Sequence, residues 1–384
     1  MRIVFALHAP RDPETAVFAY TTTRAAYLES LGHEVEIWSQ DDDPRLARIR
    51  PRWWPFVFSW HLASRLAENR FDVVIFHSYL GWAFHLRRMF SRRFRQRVKA
   101  TRTIAQFHGV ETLEYQAVRG ESERAGKPTP LRHHLLQTLV LPRLLHLGCR
   151  GADRVFCLNQ AERRYFAARG WAHPERTEIV PNAAPDEILG LARRNRPRPA
   201  KRLLFLGQWL ERKGVRQLAE AFSALGDERP NLTLACVGTR TPESVVRAAF
   251  PAHLNHRIEV RARATRAEVA SELSAADLFV FPSFYEGSSL ALLEAMAAEL
   301  PIVATPVGAA TDLLAPNGAL FVEVGDSASL ASAIRRVLDE EELRESLAKC
   351  ARSVAETLAW SRLCEAYGQS IAAVGRMQQP RRGS

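Results

Sequence analysis

Phe281-Pro-Ser-Phe-Tyr-Glu-Gly-Ser-Ser-Leu-Ala-Leu-Leu-Glu-Ala-Met-Ala-Ala-Glu-Leu-Pro-Ile-Val-Ala-Thr305 carries the pattern that decides the fold. The apolar run Leu278 to Phe281 stops at Pro282 and reads as the end of a buried strand. Tyr285 to Ser289 is a polar turn that contains Gly287. From Leu290 to Ala298 the apolar residues recur at spacings of three and four (Leu290, Leu293, Ala297; Leu292, Met296), which is a helical period. Leu300-Pro301 closes that helix, and Ile302 to Thr305 opens another strand. Strand, turn, helix and strand make a βαβ unit, so an α/β fold with a parallel sheet is expected. Ligands of such sheets bind at the carboxyl ends of strands, where the turn Glu286 to Ser289 falls.

A helix N-terminus presents free N–H donors and roughly half a positive charge. Phosphate is its usual guest. Glu286 stands just before this helix, a place that an ordinary capping acid also takes. Glu294 lies eight residues on, among Leu292, Leu293, Ala295 and Met296, a setting in which a carboxylate needs a partner. Hydrolytic acid pairs flank one bond at about 5–9.5 Å, whereas eight helical residues span about 12 Å. The spacing suits two acids gripping different parts of one long ligand. A sugar nucleotide is such a ligand, with a ribose diol for one carboxylate and sugar hydroxyls for the other. Bonds of that charge-assisted kind contribute about 1.5–3 kcal/mol each.

Glu286-x7-Glu294, continued by Glu-Ala-Met-Ala-Ala-x-x-Pro-Ile-Val-Ala-Thr-x-Val-Gly, resembles the signature of the retaining GT-B glycosyltransferases of family four. The resemblance implies two Rossmann-like βαβ domains facing across a cleft, with the donor on the second, the acceptor on the first, and a C-terminal helix crossing back. In that family the first Glu contacts the donor sugar and the second binds the ribose, while backbone amides hold sugar and phosphates. Those roles pass to Glu286, to Glu294, and to Gly287, Ser288, Ser289 and Leu290. The family usually shows Gly-Phe-Gly where this chain has Gly287-Ser288-Ser289.

Upstream, Gly207-Gln-Trp-Leu-Glu-Arg-Lys-Gly214 resembles the family's Gly-Arg-Leu-x-x-x-Lys-Gly, whose Arg and Lys clamp the donor diphosphate. Lys213 is kept and Gln208 replaces the Arg. A neutral amide supplies no charge. Arg212 is the nearest substitute, but adjacent helical residues diverge by about 100°. Gly238, after the strand Leu232 to Val237, either lets the backbone approach the nucleobase or is a plain strand-end glycine. Thr103 to Phe107 is a strand that runs into His108-Gly109. A lone His there is commonly structural, but the resemblance places it against the donor sugar. Ile179-Val-Pro-Asn-Ala-Ala-Pro-Asp186 resembles the family's Ile-Pro-Asn-Gly-Val-Asp at the end of the first domain.

With 384 residues, 47% hydrophobic and 25% charged, the chain has an ordinary globular composition and room for two domains. We expect 1–190, with a returning helix at about 360–376, as acceptor domain and 191–359 as donor domain. No apolar run reaches transmembrane length. Ile3 to Leu7 is too short for a signal-peptide core and reads as the first strand. Five cysteines without a CxxC fit a reducing cytoplasm and no zinc site. Asp41-Asp42-Asp43 reads as a turn rather than a metal-binding motif, and the family is generally metal-independent. No cofactor is expected beyond the nucleoside diphosphate sugar as substrate.

Charge is uneven. Residues 1–200 hold 32 Lys and Arg against 20 acids, while the rest hold 21 against 22. Arg52 to Trp60 packs three Trp and two Phe, and Gly81 to Lys99 mixes apolar anchors with seven basic residues from Arg87 to Lys99. Such make-up fits either an interfacial helix on an anionic membrane, where a lipid-linked acceptor lies, or a buried helix with a basic solvent face. No nucleic-acid motif accompanies the charge. Arg193 to Ala200 reads as a linker. The expected reaction is hexosyl transfer to a hydroxyl of a glycan or lipid-linked acceptor, with retention, in surface polysaccharide or glycolipid synthesis. The alternatives are a sugar phosphorylase-like enzyme and an inactive nucleotide-sugar-binding protein on the same fold.

Overall fold

The computed structural model describes residues 1–12, 15–43, 53–124, 126, 129–191 and 200–377. Arg52, the linker up to residue 199 and the tail after Met377 lie outside the described residues. The chain divides into two compact units: Met1–Thr112, Pro130–Pro181 and Leu363–Ser384 form the first, and Leu113–Thr129 with Asn182–Arg362 the second.

The first unit contains β1 (Arg2–Ala6), β2 (Glu34–Trp38), β3 (Val73–His77), β4 (Arg102–Gln106), β5 (Arg154–Cys157) and β6 (Thr177–Ile179). They form one sheet, ordered β2-β1-β3-β4-β5-β6, with every pair parallel. β3 and β4 are buried along their whole length, as strands covered by helices on both faces must be. The last helix, Trp360–Gly375, belongs to this unit from residue 363 on. Its Tyr367, Ile371 and Val374 pack with Ile3, Phe5, Leu28 and Val73 in one core. Arg24, 2% exposed, is sandwiched there between the rings of Tyr20 and Tyr367, at 4.1 and 4.3 Å.

The second unit contains β7 (Arg202–Leu206), β8 (Thr233–Val237), β9 (Ile258–Arg261), β10 (Leu278–Phe281), β11 (Ile302–Ala304) and β12 (Leu320–Phe321). This sheet is also wholly parallel, ordered β12-β11-β10-β7-β8-β9. The βαβ reading of residues 278–305 therefore holds, with the helix at Leu290–Ala297.

Two boundaries differ from the sequence reading. Residues 113–129 group with the second unit because Glu114 pairs with Arg212 at 3.3 Å and Glu121 accepts from Arg216 and from Gln217, the latter at 2.9 Å. The second unit begins at Asn182 rather than 191, because Asn182 bonds to Ser288 and Ala184 to Leu358. Gly81 to Lys99 is also not one helix. Ser91 is extended and caps a second short helix, so the segment breaks into Trp82–Phe90 and Arg92–Arg97. A π-turn over Leu136–Val140 directly precedes the helix Leu141–Gly151, whose second residue is Pro142. Proline's missing N–H and its ring against the preceding turn account for that loosened register.

Candidate active site

A parallel sheet opens a crevice where strand order reverses, because the loops on either side of that point leave in opposite directions. In the second sheet the reversal lies between β7 and β10. The loops that follow these two strands are Gly207–Gly214 and Pro282–Ser289, which hold most of the residues singled out from sequence.

The two loops are tied together. The Phe284 amide donates to the Arg212 carbonyl at 2.7 Å, and the Thr305 hydroxyl donates to the Ser283 carbonyl at 2.6 Å. Gly214 adopts φ +70, and a Cβ there would lie 1.9 Å from the Pro282 carbonyl oxygen. Gly308 is equally confined: its φ is +55, and a Cβ would lie 2.0 Å from the Glu286 carbonyl oxygen. Only glycine fits such contacts in the left-handed region.

Within this frame Glu286 is 8% exposed and meets two cations. Lys213 Nζ lies 2.5 Å from its Oε1 and Arg212 Nη1 3.4 Å, while the Ser283 hydroxyl donates to the same oxygen at 3.2 Å. Arg212 therefore does converge with Lys213, against the divergence expected of helical neighbours. The reason is local. Glu211–Lys213 is a three-residue 3-10 turn that ends on left-handed Gly214, and both side chains are long enough to reach past its end. Gln208 is exposed and stands apart from this cluster. Gly207 underlies Lys213, whose Nζ is 3.8 Å from where a Gly207 Cβ would be. Gly238 borders Gly207 through the Gly207 amide, which donates to Val237 at 2.9 Å.

All the contacts to Glu286 fall on Oε1, so Oε2 faces no protein partner among the described residues. Ser288 and Ser289 are buried, and Ser289 caps the helix Leu290–Ala297 without a side-chain bond. The amides of Ser288, Ser289 and Leu290 donate to no protein acceptor among the described residues, leaving a triplet of donors at the positive end of that helix. Glu294 is half-buried on the same helix, and its carboxylate has no bonded partner among the described residues. Burial pushes its pKa up to about 7, with nearby Arg266 opposing and Glu187 adding to the rise.

His108 belongs to the first unit, two residues beyond β4. His77 ends β3, and their rings meet: His108 Nε2 lies 2.9 Å from His77 Nδ1 and 3.5 Å from the Gln106 amide nitrogen. Burial, and then Arg24, lowers His108 to about 3, so this imidazole is neutral at physiological pH. The Gln106 amide nitrogen can only donate, which makes Nε2 the acceptor and puts the proton on Nδ1.

Residues 17–187 match the family described as Glycosyltransferase Family 4, and residues 200–340 match Glycosyl transferases group 1. The chain belongs to the family-four, group 1 glycosyltransferases. The lipopolysaccharide glucosyltransferase WaaG of Escherichia coli K12 is 33% identical over 158 residues, 40% of this chain and 42% of that protein. The chain spans about half the length of the curated relatives it matches. Sucrose-phosphate synthase from Thermosynechococcus elongatus superposes with a TM-score of 0.77 at 20% identity, covering 97% of this chain and 98% of that one. Anabaena Alr3699/HepE, whose structure is a complex with UDP-glucose, superposes with a TM-score of 0.67 at 15% identity over 97% of this chain and 100% of its own. Both carry the GT-B fold expected for this family-four chain.

Sequence reasoning missed two supporting residues. Asn182 donates its side-chain amide to the Ser288 carbonyl at 2.6 Å and fixes the amide-bearing turn. The Val-Pro-Asn motif held that signal without showing its target. His77 carried no motif, and only strand pairing opposite Gln106 brings it to His108. The acids of Asp41-Asp42-Asp43 serve structure: Asp42 pairs with Arg11 at 2.9 Å and Asp43 with His61 at 3.0 Å.

Proposed function

We propose that this family-four glycosyltransferase moves a hexosyl group from a nucleoside diphosphate sugar to a hydroxyl of a glycan or lipid-linked acceptor, with retention at the anomeric carbon. One observation carries the reading. Glu286, held by Lys213 and Arg212 on one oxygen, stands immediately before a triplet of unpartnered amides, with the unpartnered carboxylate of Glu294 on the same helix. The amides of Ser288, Ser289 and Leu290 and the Lys213 ammonium receive the diphosphate. Glu294 accepts from the ribose diol, and Glu286 Oε2 accepts from the sugar. His108 is assigned to the same sugar, as a neutral donor through Nδ1.

As the glycosidic bond breaks, negative charge grows on the leaving diphosphate. Lys213 and the fixed amides stabilise it where it develops, the effect that most often dominates such catalysis. Glu286 is committed to two cations, which makes it a poor nucleophile. A front-face path follows, in which the leaving diphosphate takes the acceptor proton and acceptor and leaving group share one face. The UDP-glucose complex of the structural neighbour supports a uridine-type donor as the first to try. Turnover with a panel of nucleoside diphosphate sugars, followed by determination of the product anomer, tests the reading. No turnover with any donor, or an inverted product, overturns it.

We further propose a role in polysaccharide or glycolipid synthesis, which the similarity to a lipopolysaccharide glucosyltransferase supports, and attachment to an anionic membrane surface, which rests on the surface residues that follow. Among the described residues no helix is long and apolar enough to cross a membrane. Trp53, Trp60, Met89 and Phe90 are exposed, Phe90 to 76%. Arg87 lies over the Trp60 ring at 5.2 Å, so the aromatic and basic segments share one surface. Co-sedimentation with phosphatidylglycerol vesicles is expected to drop on Phe90→Ser with Met89→Ser. An unchanged bound fraction rules this surface out.

A further inference from the structure

A cavity of about 920 Å³ lies in the first unit, among the helices Trp82–Phe90, Arg92–Arg97 and Leu141–Gly151 and the starts of β4 and β5. That is within the usual range for small-ligand sites. Five cations line it: Arg88, Arg95, Lys99, Arg102 and Arg150. Asp153 is the one acid in its lining, and its charge is already used. Its Oδ1 accepts from Arg102 at 3.3 Å, and its Oδ2 accepts from the Thr103 amide and hydroxyl at 2.8 and 3.0 Å.

The other guanidinium bonds go to neutral carbonyls. Arg88 donates to Gly151, Arg102 to Met377, and Arg95 to Arg88 and Met89 at 2.9 and 2.5 Å. A carbonyl fixes the direction of a guanidinium without cancelling its charge. Like charges so gathered repel one another, and an anion among them removes that cost.

His85 marks the floor. It is 5% exposed, lines the same cavity, and both ring nitrogens lack any partner. Two glycines clear the space for its ring: a Cβ at Gly151 would lie 2.2 Å from His85 Cγ, and one at Gly81 3.2 Å from Nε2. Burial, and then Arg88, keeps the ring neutral, so it holds one N–H to donate. Buried polar groups ordinarily have partners, and the exceptions need a cause.

We propose that this cavity binds a ligand bearing clustered phosphoryl groups, gripped by the arginine and lysine side chains that line it. The cavity shares no residue with the proposed donor site and does not rest on the proposed reaction. Within the first unit it is also remote from His108: Arg102 begins β4 and His108 lies beyond its end, about 20 Å away at the rise of a strand. The phosphoryl groups belong either to a free phosphorylated metabolite or to a phospholipid headgroup, and exposed Met89 lies at the rim.

The test uses the full chain carrying Lys213→Ala, which weakens pyrophosphate binding at the proposed donor site. Inorganic pyrophosphate titrated by calorimetry is expected to bind saturably. Adding Lys99→Ala and Arg150→Ala, both at exposed positions, is expected to weaken binding at least about tenfold. Lys99→Arg with Arg150→Lys is expected to keep it, with the melting temperature monitored alongside. Flotation with phosphatidylcholine vesicles, with and without phosphatidic acid, separates the sources. Retention on phosphatidic acid that pyrophosphate displaces identifies a lipid headgroup, and pyrophosphate binding without such retention identifies a soluble ligand. Absence of saturable binding, or equal affinity with and without Lys99 and Arg150, overturns the proposal. Loss of Lys213-dependent binding in the parent chain would bear on the donor reading alone.

Discussion

His77 Nδ1 lies 2.9 Å from His108 Nε2, and the two rings are 4.4 Å apart between centroids. Two neutral imidazoles share one proton in that bond. The tautomer of His108 is therefore set by a residue that takes no part in the motif. His77→Phe keeps the volume and removes the bond. It is expected to lower kcat about tenfold while donor affinity stays level, and His108→Ala to lower kcat by about 10²-fold or more. Equal kcat for His77→Phe and the parent enzyme would show that the pair is only packing. Since burial holds His108 near 3, no inflection from it is expected in the rate between about pH 6 and 9.

Glu294 gives a pH dependence of the opposite kind. Its carboxyl titrates near 7, and only the ionised form accepts two bonds from a ribose diol. Nucleotide affinity should rise as pH is raised through about 7, and Glu294→Gln should flatten that rise while weakening binding. Calorimetry with a nucleoside diphosphate at about pH 6 and pH 8 reads both effects. Stability should show the reverse sign. The native group holds its proton up to about 7 and the unfolded group only to its lower ordinary value, so between those values stability increases as pH falls. Glu294→Gln should accordingly raise the melting temperature near pH 8 and leave it little changed near pH 4.

Lys213→Ala should abolish tight donor binding, at a cost of about 2–3 kcal/mol or roughly 30- to 150-fold in affinity. Arg212→Ala should cost less, because Arg212 lies farther from Glu286 and divides its charge with Glu114. A double substitution tests whether they act together: non-additive losses are expected for two cations on one carboxylate oxygen. Calorimetric affinities that are unchanged in Lys213→Ala would remove the diphosphate clamp.

Gly308→Ala should displace the turn that carries Glu286. Its Cβ would overlap the Glu286 carbonyl oxygen at 2.0 Å and that of Gly287 at 2.7 Å. Loss of nucleotide binding together with a lower melting temperature is expected, and Gly32→Ala, whose Cβ meets nothing within 4 Å, serves as the control for a positive-φ glycine away from the site. Parent-like binding in Gly308→Ala would mean that the turn tolerates movement.

What could be read before any coordinates were local. The periodicity of residues 278–305 dictated strand, turn and helix, and the parallel sheet followed from their order. The meeting of Lys213 with Glu286 was legible because two short motifs fall on the loops beside the β7–β10 reversal. Arg212 was misjudged because helical geometry was applied to a three-residue turn. His77 and Asn182 were invisible for a different reason: each acts on a partner more than thirty residues away, and only strand pairing or loop closure supplies the contact. That residues 113–129 group with the second unit could not be read from chain order, which does not report that Glu114 and Glu121 find their cations at Arg212 and Arg216.

The sandwich of Arg24 between Tyr20 and Tyr367 has a bearing on biogenesis. As the ribosome delivers the chain, the first-made helix must wait for the last-made one before its guanidinium is covered and the core around Ile3 and Phe5 is sealed. Nascent chains arrested ahead of Trp360 should thus remain protease-sensitive in their amino-terminal half, even with every one of its strands already synthesised.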